Sequence, residues 1–332
     1  FVLNDKEASP HIVFMGKIGS RKTTTAIHMA LDIVESAGIP FLLIDPKGEF
    51  AQSGELAGRL ADAEVNATAI SVGEQPIPLD FLPPPDVGTV SVHNAAMQFR
   101  DSIALCCRGC GDIQQDLLRI ASDKAIRMPG ARDLETIKGL YKMELDANGK
   151  GHDSIMGRLN ELTTLDCFEP RYRAADFFSR SWVIGLNALG TEELKRLVIL
   201  LLLDALKNFI MSQPDTSVVG GYRTLRHLLF IDEARRILAE KRYQSLVDIV
   251  RQGRSKGSAV MLLSQDPSDF DGQSDDFTTQ LGTVVAFACA QSSQGLRALQ
   301  GVYGRKVQPQ EFADTYLPKG VAFAKLPGRT AE

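Results

Sequence analysis

Gly16-Lys17-Ile18-Gly19-Ser20-Arg21-Lys22-Thr23 sits between an apolar run, His11 to Met15 (HIVFM), and a segment with apolar residues at helical spacing, Ile27, Leu31 and Val34. That order reads as strand, glycine-rich loop, helix, with the helix running over 22–35 and stopped by Gly38. Glycines let backbone N–H groups close around phosphate oxygens, and the helix N-terminus adds partial positive charge. Lys22 then reaches the β- and γ-phosphates and Thr23 offers a hydroxyl to Mg²⁺. Gly16, Gly19, Ser20, Arg21, Lys22, Thr23 and Thr24 are the candidate nucleotide-binding set. The departure is Arg21, where the loop pattern calls for glycine. Its side chain either crowds the phosphates or sits outward and adds positive potential.

Downstream, Pro40 to Asp45 (PFLLID) reads as a second buried strand, and 67–72 as a third before the turn-rich 76–85. Alternation of strand and helix implies a parallel sheet. From 91 to 165 the pattern is helical, with turns at Gly109-Cys110-Gly111 and Asn148-Gly149. Strand returns at 181–186, Thr191 with Glu192 and Glu193 opens a helix to about 212, and His227 to Ile231 (HLLFI) is a buried strand. A helix over 243–256 and strands over 259–264, 283–288 and 321–325 complete the reading. The expected division is 1–90 and 179–332 as two parts of one ATPase core, with 91–178 a helical insertion.

The apolar run 228–231 ends in Asp232-Glu233. A buried strand delivers Asp232 to the Mg²⁺ shell and places Glu233 to polarise a water attacking the γ-phosphate. Alone, the bland reading is a core strand leaving into a charged loop; beside Lys22 and Thr23 that reading loses. Gln265, after the strand 259–264, is a candidate γ-phosphate sensor, against the plain alternative of a solvated turn. Arg254 lies in the basic helix end Arg251 to Gly257, where it either complements the helix dipole or projects onto a neighbouring subunit's γ-phosphate.

Of the 332 residues 44% are hydrophobic and 23% charged, as in ordinary globular proteins, and the net charge of −4 excludes a strongly basic surface. Any DNA contact must then come from local clusters or a pore shared by several subunits. The longest apolar run, 197–205, contains Asp204 and is far shorter than a membrane span, so no membrane partner and a cytoplasmic location are expected. Cys106, Cys107 and Cys110 cluster, but no second ligand pair follows at zinc spacing, so a metal there is not expected. The start at Phe1 and the polar stretch 4–7 read as a fragment of something longer.

Taken in order, HIVFMGKIGSRKTTTA, FLLIDPKGEF, HLLFIDEARRIL, GRSKGSAVMLLSQDPSDF and LPKGVAFAKLPGR resemble the HerA/FtsK superfamily and cover most of the chain outside the helical segment. The resemblance implies an α/β fold, a RecA-like P-loop NTPase core with a mostly parallel central sheet. It also implies ATP and Mg²⁺ as cofactors, a hexameric ring, and movement of double-stranded DNA. It maps a trans arginine finger onto Arg254, and the Asp-Pro-Lys-Gly-Glu stretch at 45–49 is similar to one in HerA-like ATPases. A module of a bacterial defence system, acting with a nuclease or other subunits, fits this resemblance; so does phosphorothioation-dependent restriction. Competing readings are a nucleotide-binding assembly scaffold, which Arg21 favours, and a small-molecule kinase, which has no need of Asp232-Glu233 or Arg254.

Overall fold

The computed structural model describes residues 9–50, 58–60, 65–83, 88–128, 130, 132–238, 243–270, 280–289 and 292–326. The polar stretch 4–7, the end of the turn-rich segment at 84–85 and the end of the last quoted stretch at 327–329 lie outside them.

The strands are β1 (Ile12–Met15), β2 (Phe41–Asp45), β3 (Ala67–Ser71), β4 (Ile77–Asp80), β5 (Phe168–Arg173), β6 (Ser181–Gly185), β7 (Val218–Val219), β8 (Tyr222–Arg223), β9 (His227–Ile231), β10 (Ser258–Ser264), β11 (Thr283–Ala286) and β12 (Phe323–Lys325). An eight-stranded sheet runs β12-β11-β1-β10-β9-β2-β6-β3, with only the β11–β12 pairing antiparallel. This is the RecA-like P-loop arrangement, and β10 separates the phosphate-loop strand β1 from β9. Strands buried on both faces must be apolar along their buried length, which is why IVFM, FLLI and LLFI read as runs rather than alternations.

Helix α1 (Lys22–Ala37) covers one face, where Ala26, Ile27 and Leu31 meet Ile12, Phe14, Leu43, Phe230 and Leu263. The opposite face carries Val13, Met15, Leu42, Ile44, Leu229, Ile231 and Leu262 under a larger cluster. Into that cluster run α2 (Thr89–Leu105), α3 (Asp112–Arg127), α4 (Leu134–Ala147) and α5 (Ser154–Thr164), the helices between β4 and β5. The short α6 (Ala174–Phe178) precedes β6, and α7 (Glu192–Ser212) packs its leucine run 200–203 entirely inside. A helix apolar on all sides belongs in an interior, and its N-terminus is capped as the sequence indicates, Thr191 Oγ1 accepting the Leu194 N–H at 3.2 Å. The one acid in its buried stretch, Asp204, takes hydrogen bonds from Ser102 Oγ (2.6 Å), Gln98 Nε2 (2.7 Å) and Ser245 Oγ (2.6 Å). These donors tie α2 and α9 (Gln244–Gln252) to α7; α8 (Arg235–Leu238) lies between β9 and α9, and α10 (Ser293–Tyr303) follows β11.

Two stretches differ from the sequence reading. Within the expected turns of 76–85, Ile77 and Leu79 are buried and β4 pairs in parallel with β5. Pro78 is tolerated because this two-stranded sheet leaves each strand an open edge. The helix expected to reach 256 ends at Gln252, where a Cβ on Gly253 would lie 2.3 Å from the Ile249 carbonyl oxygen. No helix among the described residues is long and apolar enough to cross a membrane.

Candidate functional site

Parallel order places the carboxyl ends of β1, β10, β9 and β2 on one edge, and the glycine-rich loop leaves from there. Gly16 N–H donates to Ser264 O (3.2 Å) and Lys17 N–H to Ala288 O (2.9 Å), roping the loop to the ends of β10 and β11. Gly16 lies so close to the chain leaving the neighbouring strand β11 that a Cβ there would meet Phe287 Cβ at 2.8 Å. From outside, Gly320 N–H donates to Ser20 O (3.2 Å), and Lys17 forms an ion pair with Asp314.

The first turn of α1 opens into a cleft of about 280 Å³, and N–H groups of a first turn have no intrahelical partner. Ser20 Oγ is buried without a hydrogen-bond partner among the described residues. These orphaned donors suit an anion, so the loop fits the phosphates of a nucleotide. Arg21 is held left-handed at φ 70, the conformation that makes glycine the usual residue there. Its side chain is exposed at the cleft and runs past Gly320, whose added Cβ would sit 3.4 Å from Arg21 Cδ.

Across the cleft, β9 is flanked by β10 and β2, with Ile231 in register with Leu262 and Ile44. Asp232 N–H donates to Ile44 O (3.1 Å), which fixes the carboxylate at the strand's end, 3% exposed. Burial pushes the Asp232 carboxyl up to about 6 against the opposing attraction of Lys22. Burial likewise lowers the Lys22 ammonium from its ordinary value, with Asp232 resisting. Thr23 lines the same cleft as Asp232, a pair of hard oxygen donors that fits Mg²⁺.

Glu233 follows with φ 50, an unusual state for a long side chain and one that concentrates at functional sites. Its backbone N–H donates to Asp232 Oδ1 (2.9 Å). From the β10 side Gln265 Nε2 donates to Glu233 Oε1 across a long 3.5 Å, and from the β2 side Lys47 Nζ lies 2.6 Å from the same oxygen. Burial works against the Lys47 charge, but the hydrogen bond and charge of Glu233 outweigh it and hold the ammonium above its ordinary value.

The structure therefore brings Gly19, Ser20, Arg21, Lys22, Thr23, Thr24, Asp232, Glu233 and Gln265 to one cleft, with Gly16 packed behind it. Arg254 is elsewhere. It precedes β10, so it lies at the amino edge of the sheet, on the order of 20 Å from the cleft at roughly 3.3 Å per strand residue. At that edge His11 is buried, its Nδ1 accepting the Val260 N–H (3.1 Å) and its Nε2 2.7 Å from Val250 O. Burial, against the Val250 hydrogen bond and aided by the Arg254 charge, lowers this imidazole to about 4. Lys47, Glu49 and Lys319 also line the cleft and were not singled out from the sequence, although the acid-proline-lysine-glycine-acid stretch 45–49 carried the signal.

The sequence matches no family model and no curated protein. Among solved structures the chain is similar to VirB4 of Thermoanaerobacter pseudethanolicus, at TM-score 0.70 and 16% identity over 98% of this chain and 89% of that one. The genome packaging NTPase B204 from Sulfolobus turreted icosahedral virus 2, in complex with AMP, aligns at TM-score 0.41 and 10% identity over 98% and 93% of the two chains. At such identity the likeness to VirB4 is one of fold alone.

Proposed function

We propose that this RecA-like chain is a Mg-ATP-dependent ATPase of the HerA/FtsK class that translocates or remodels double-stranded DNA, as a module of a larger defence or DNA-processing protein. The observation that carries the reading is the meeting of Lys22, Asp232, Glu233 and Gln265, from three separate strand ends, at one helix N-terminus. In it, Lys22 and the loop N–H groups bind the β- and γ-phosphates, and Glu233 orients the attacking water and takes its proton. Gln265 reports the γ-phosphate through the oxygen of Glu233 that it approaches. Thr23 and Asp232 would hold Mg²⁺, which supplies neutralisation of phosphate charge when bound.

The fold shared with VirB4 fits this reading. Division into a core of 1–90 and 179–332 with 91–178 inserted belongs to the same proposal. So does assembly into a hexameric ring in which Arg254 serves a neighbour's site, since Arg254 lies at the edge opposite its own cleft. The exposure of Arg21 favours hydrolysis over the scaffold reading, because a side chain on the rim leaves the phosphate seat open. Steady-state ATP hydrolysis with and without duplex DNA tests the proposal. Stimulation by DNA is expected, and the absence of hydrolysis under both conditions in assembled protein overturns it.

A further inference from the structure

Lysine and carboxylate pair in the cleft at Lys22–Asp232 and Lys47–Glu233, and Lys47 Nζ also lies 4.0 Å from Glu49 Oε1. Lys22 is electrostatically coupled to Asp232, and Lys47 is in direct contact with Glu233. The first coupling belongs to nucleotide binding as described. The second places an ammonium on one oxygen of the carboxylate read above as the acceptor of the water's proton.

The loop that carries Lys47 is fixed at its base. The buried Asp45 carboxylate accepts the N–H of Gly48 (2.8 Å) and of Phe50 (2.7 Å), and the Phe50 ring packs on Phe230 with centroids 6.1 Å apart. Gly48 has φ 73, and a Cβ on it would fall 2.1 Å from Asn187 Oδ1, so the turn presses on the β6 end and admits only glycine. The Lys47 side chain, 35% exposed, leaves this fixed turn on a flexible four-carbon stem. It lines the cleft that Lys22 and Thr23 line, within the seat a triphosphate would occupy.

We propose that Lys47 is a positioning residue governed by the γ-phosphate: without nucleotide its ammonium occupies Oε1 of the Glu233 carboxylate, and a bound nucleoside triphosphate draws the ammonium away so that the carboxylate can take up the attacking water. The proposal rests on reading the cleft as an ATP site. A terminal phosphate carries more negative charge than one carboxylate, so it competes for the ammonium, whereas a diphosphate lacks the group and leaves the pair closed. Once the Lys47 contact is broken, the Glu233 carboxylate accepts a proton as the water oxygen bonds to Pγ. The bond from Pγ to the β,γ-bridging oxygen breaks with its electron pair, which leaves on ADP.

A double-mutant cycle on the full chain tests this by calorimetry with ADP and a non-hydrolysable ATP analogue, so that turnover cannot imitate tight binding. Competition means that Glu233→Gln, which releases Lys47 in advance, tightens the triphosphate analogue by about tenfold and shifts ADP by less than about twofold. In a Lys47→Met background the same substitution is expected to change triphosphate affinity by less than about twofold, and Lys47→Arg restores the coupling. Lys47→Gln, a second uncharged variant, repeats the arm without relying on one fold-sensitive change. Equal tightening with and without Lys47 means simple charge relief and overturns the proposal, as does no tightening in either background. If Lys22→Ala abolishes binding while the cycle is flat, the ATP site stands and the clamp alone falls; if the unsubstituted protein binds neither nucleotide, both fall.

Discussion

Arg21 and Glu233 line one cleft and are both held in the left-handed region, at φ 70 and φ 50. Among the described residues the other non-glycine position with positive φ is Asp166, at the turn before β5. Each such residue stores on the order of 1–3 kcal/mol, and the structure concentrates that strain where the phosphate loop faces the acid-bearing strand end.

Arg21→Gly is expected to raise stability by about 1 kcal/mol, because glycine adopts the left-handed state without a Cβ penalty. Affinity for an ATP analogue should not rise, since the arginine side chain is exposed at the rim. Thermal melting and calorimetry on the pure protein check the two halves, and tighter binding would show that Arg21 crowds the phosphates.

Lys22→Ala removes the buried ammonium opposite Asp232 and should abolish productive nucleotide binding. Glu233→Gln should retain binding and reduce turnover by roughly 10²–10⁴-fold, because the amide keeps the shape but takes no proton. Turnover within a few fold of the parent would remove Glu233 from the chemistry.

The Asp232 carboxyl, raised by burial to about 6, must be ionised to hold a cation. Below pH 6 Mg²⁺-dependent nucleotide affinity should fall about tenfold per pH unit, while affinity in EDTA should change less. The sign for folding is opposite: a raised carboxyl pKa stabilises the fold below the unfolded value of 3.8, and that contribution is lost as pH rises through about 6. Lys22, Asp45 and Glu233 are the charges acting on this carboxyl, so Asp232→Asn should flatten the binding profile.

Asp204→Ala should destabilise the chain by roughly 3 kcal/mol or more in denaturant unfolding, because it strands the Ser102, Gln98 and Ser245 donors in the interior. Loss below about 1 kcal/mol would mean that water replaces the carboxylate. Burial already outweighs those hydrogen bonds and raises the Asp204 carboxyl.

Arg254→Ala tests assembly. A trans finger predicts near-normal ATP binding with turnover lowered by roughly 10³-fold or more. Mixing Arg254→Ala subunits with Lys22→Ala subunits should recover part of the activity, since some interfaces then pair an intact loop with an intact arginine. Full activity of Arg254→Ala alone, or no recovery in demonstrably mixed oligomers, would reduce Arg254 to a residue of the turn between α9 and β10.

The amino-acid sequence by itself determined the strand, loop and helix around Lys22, the buried run ending in Asp232-Glu233, and the strand before Gln265. Each is a local pattern, in which burial on both faces demands an unbroken apolar run and a parallel sheet exposes chemistry at its carboxyl edge. Tertiary structure alone decided that β10 lies between β1 and β9, that β4 pairs with β5 across the helices, and that Arg254 stands at the edge away from its own cleft. It also decided that Lys47, 186 positions before Glu233 in the chain by their numbers, touches that carboxylate. Strand order and register are set by long-range pairing of whole apolar faces, so the ends of β2 and β9 meet because Phe41–Ile44 lies beside Leu228–Ile231.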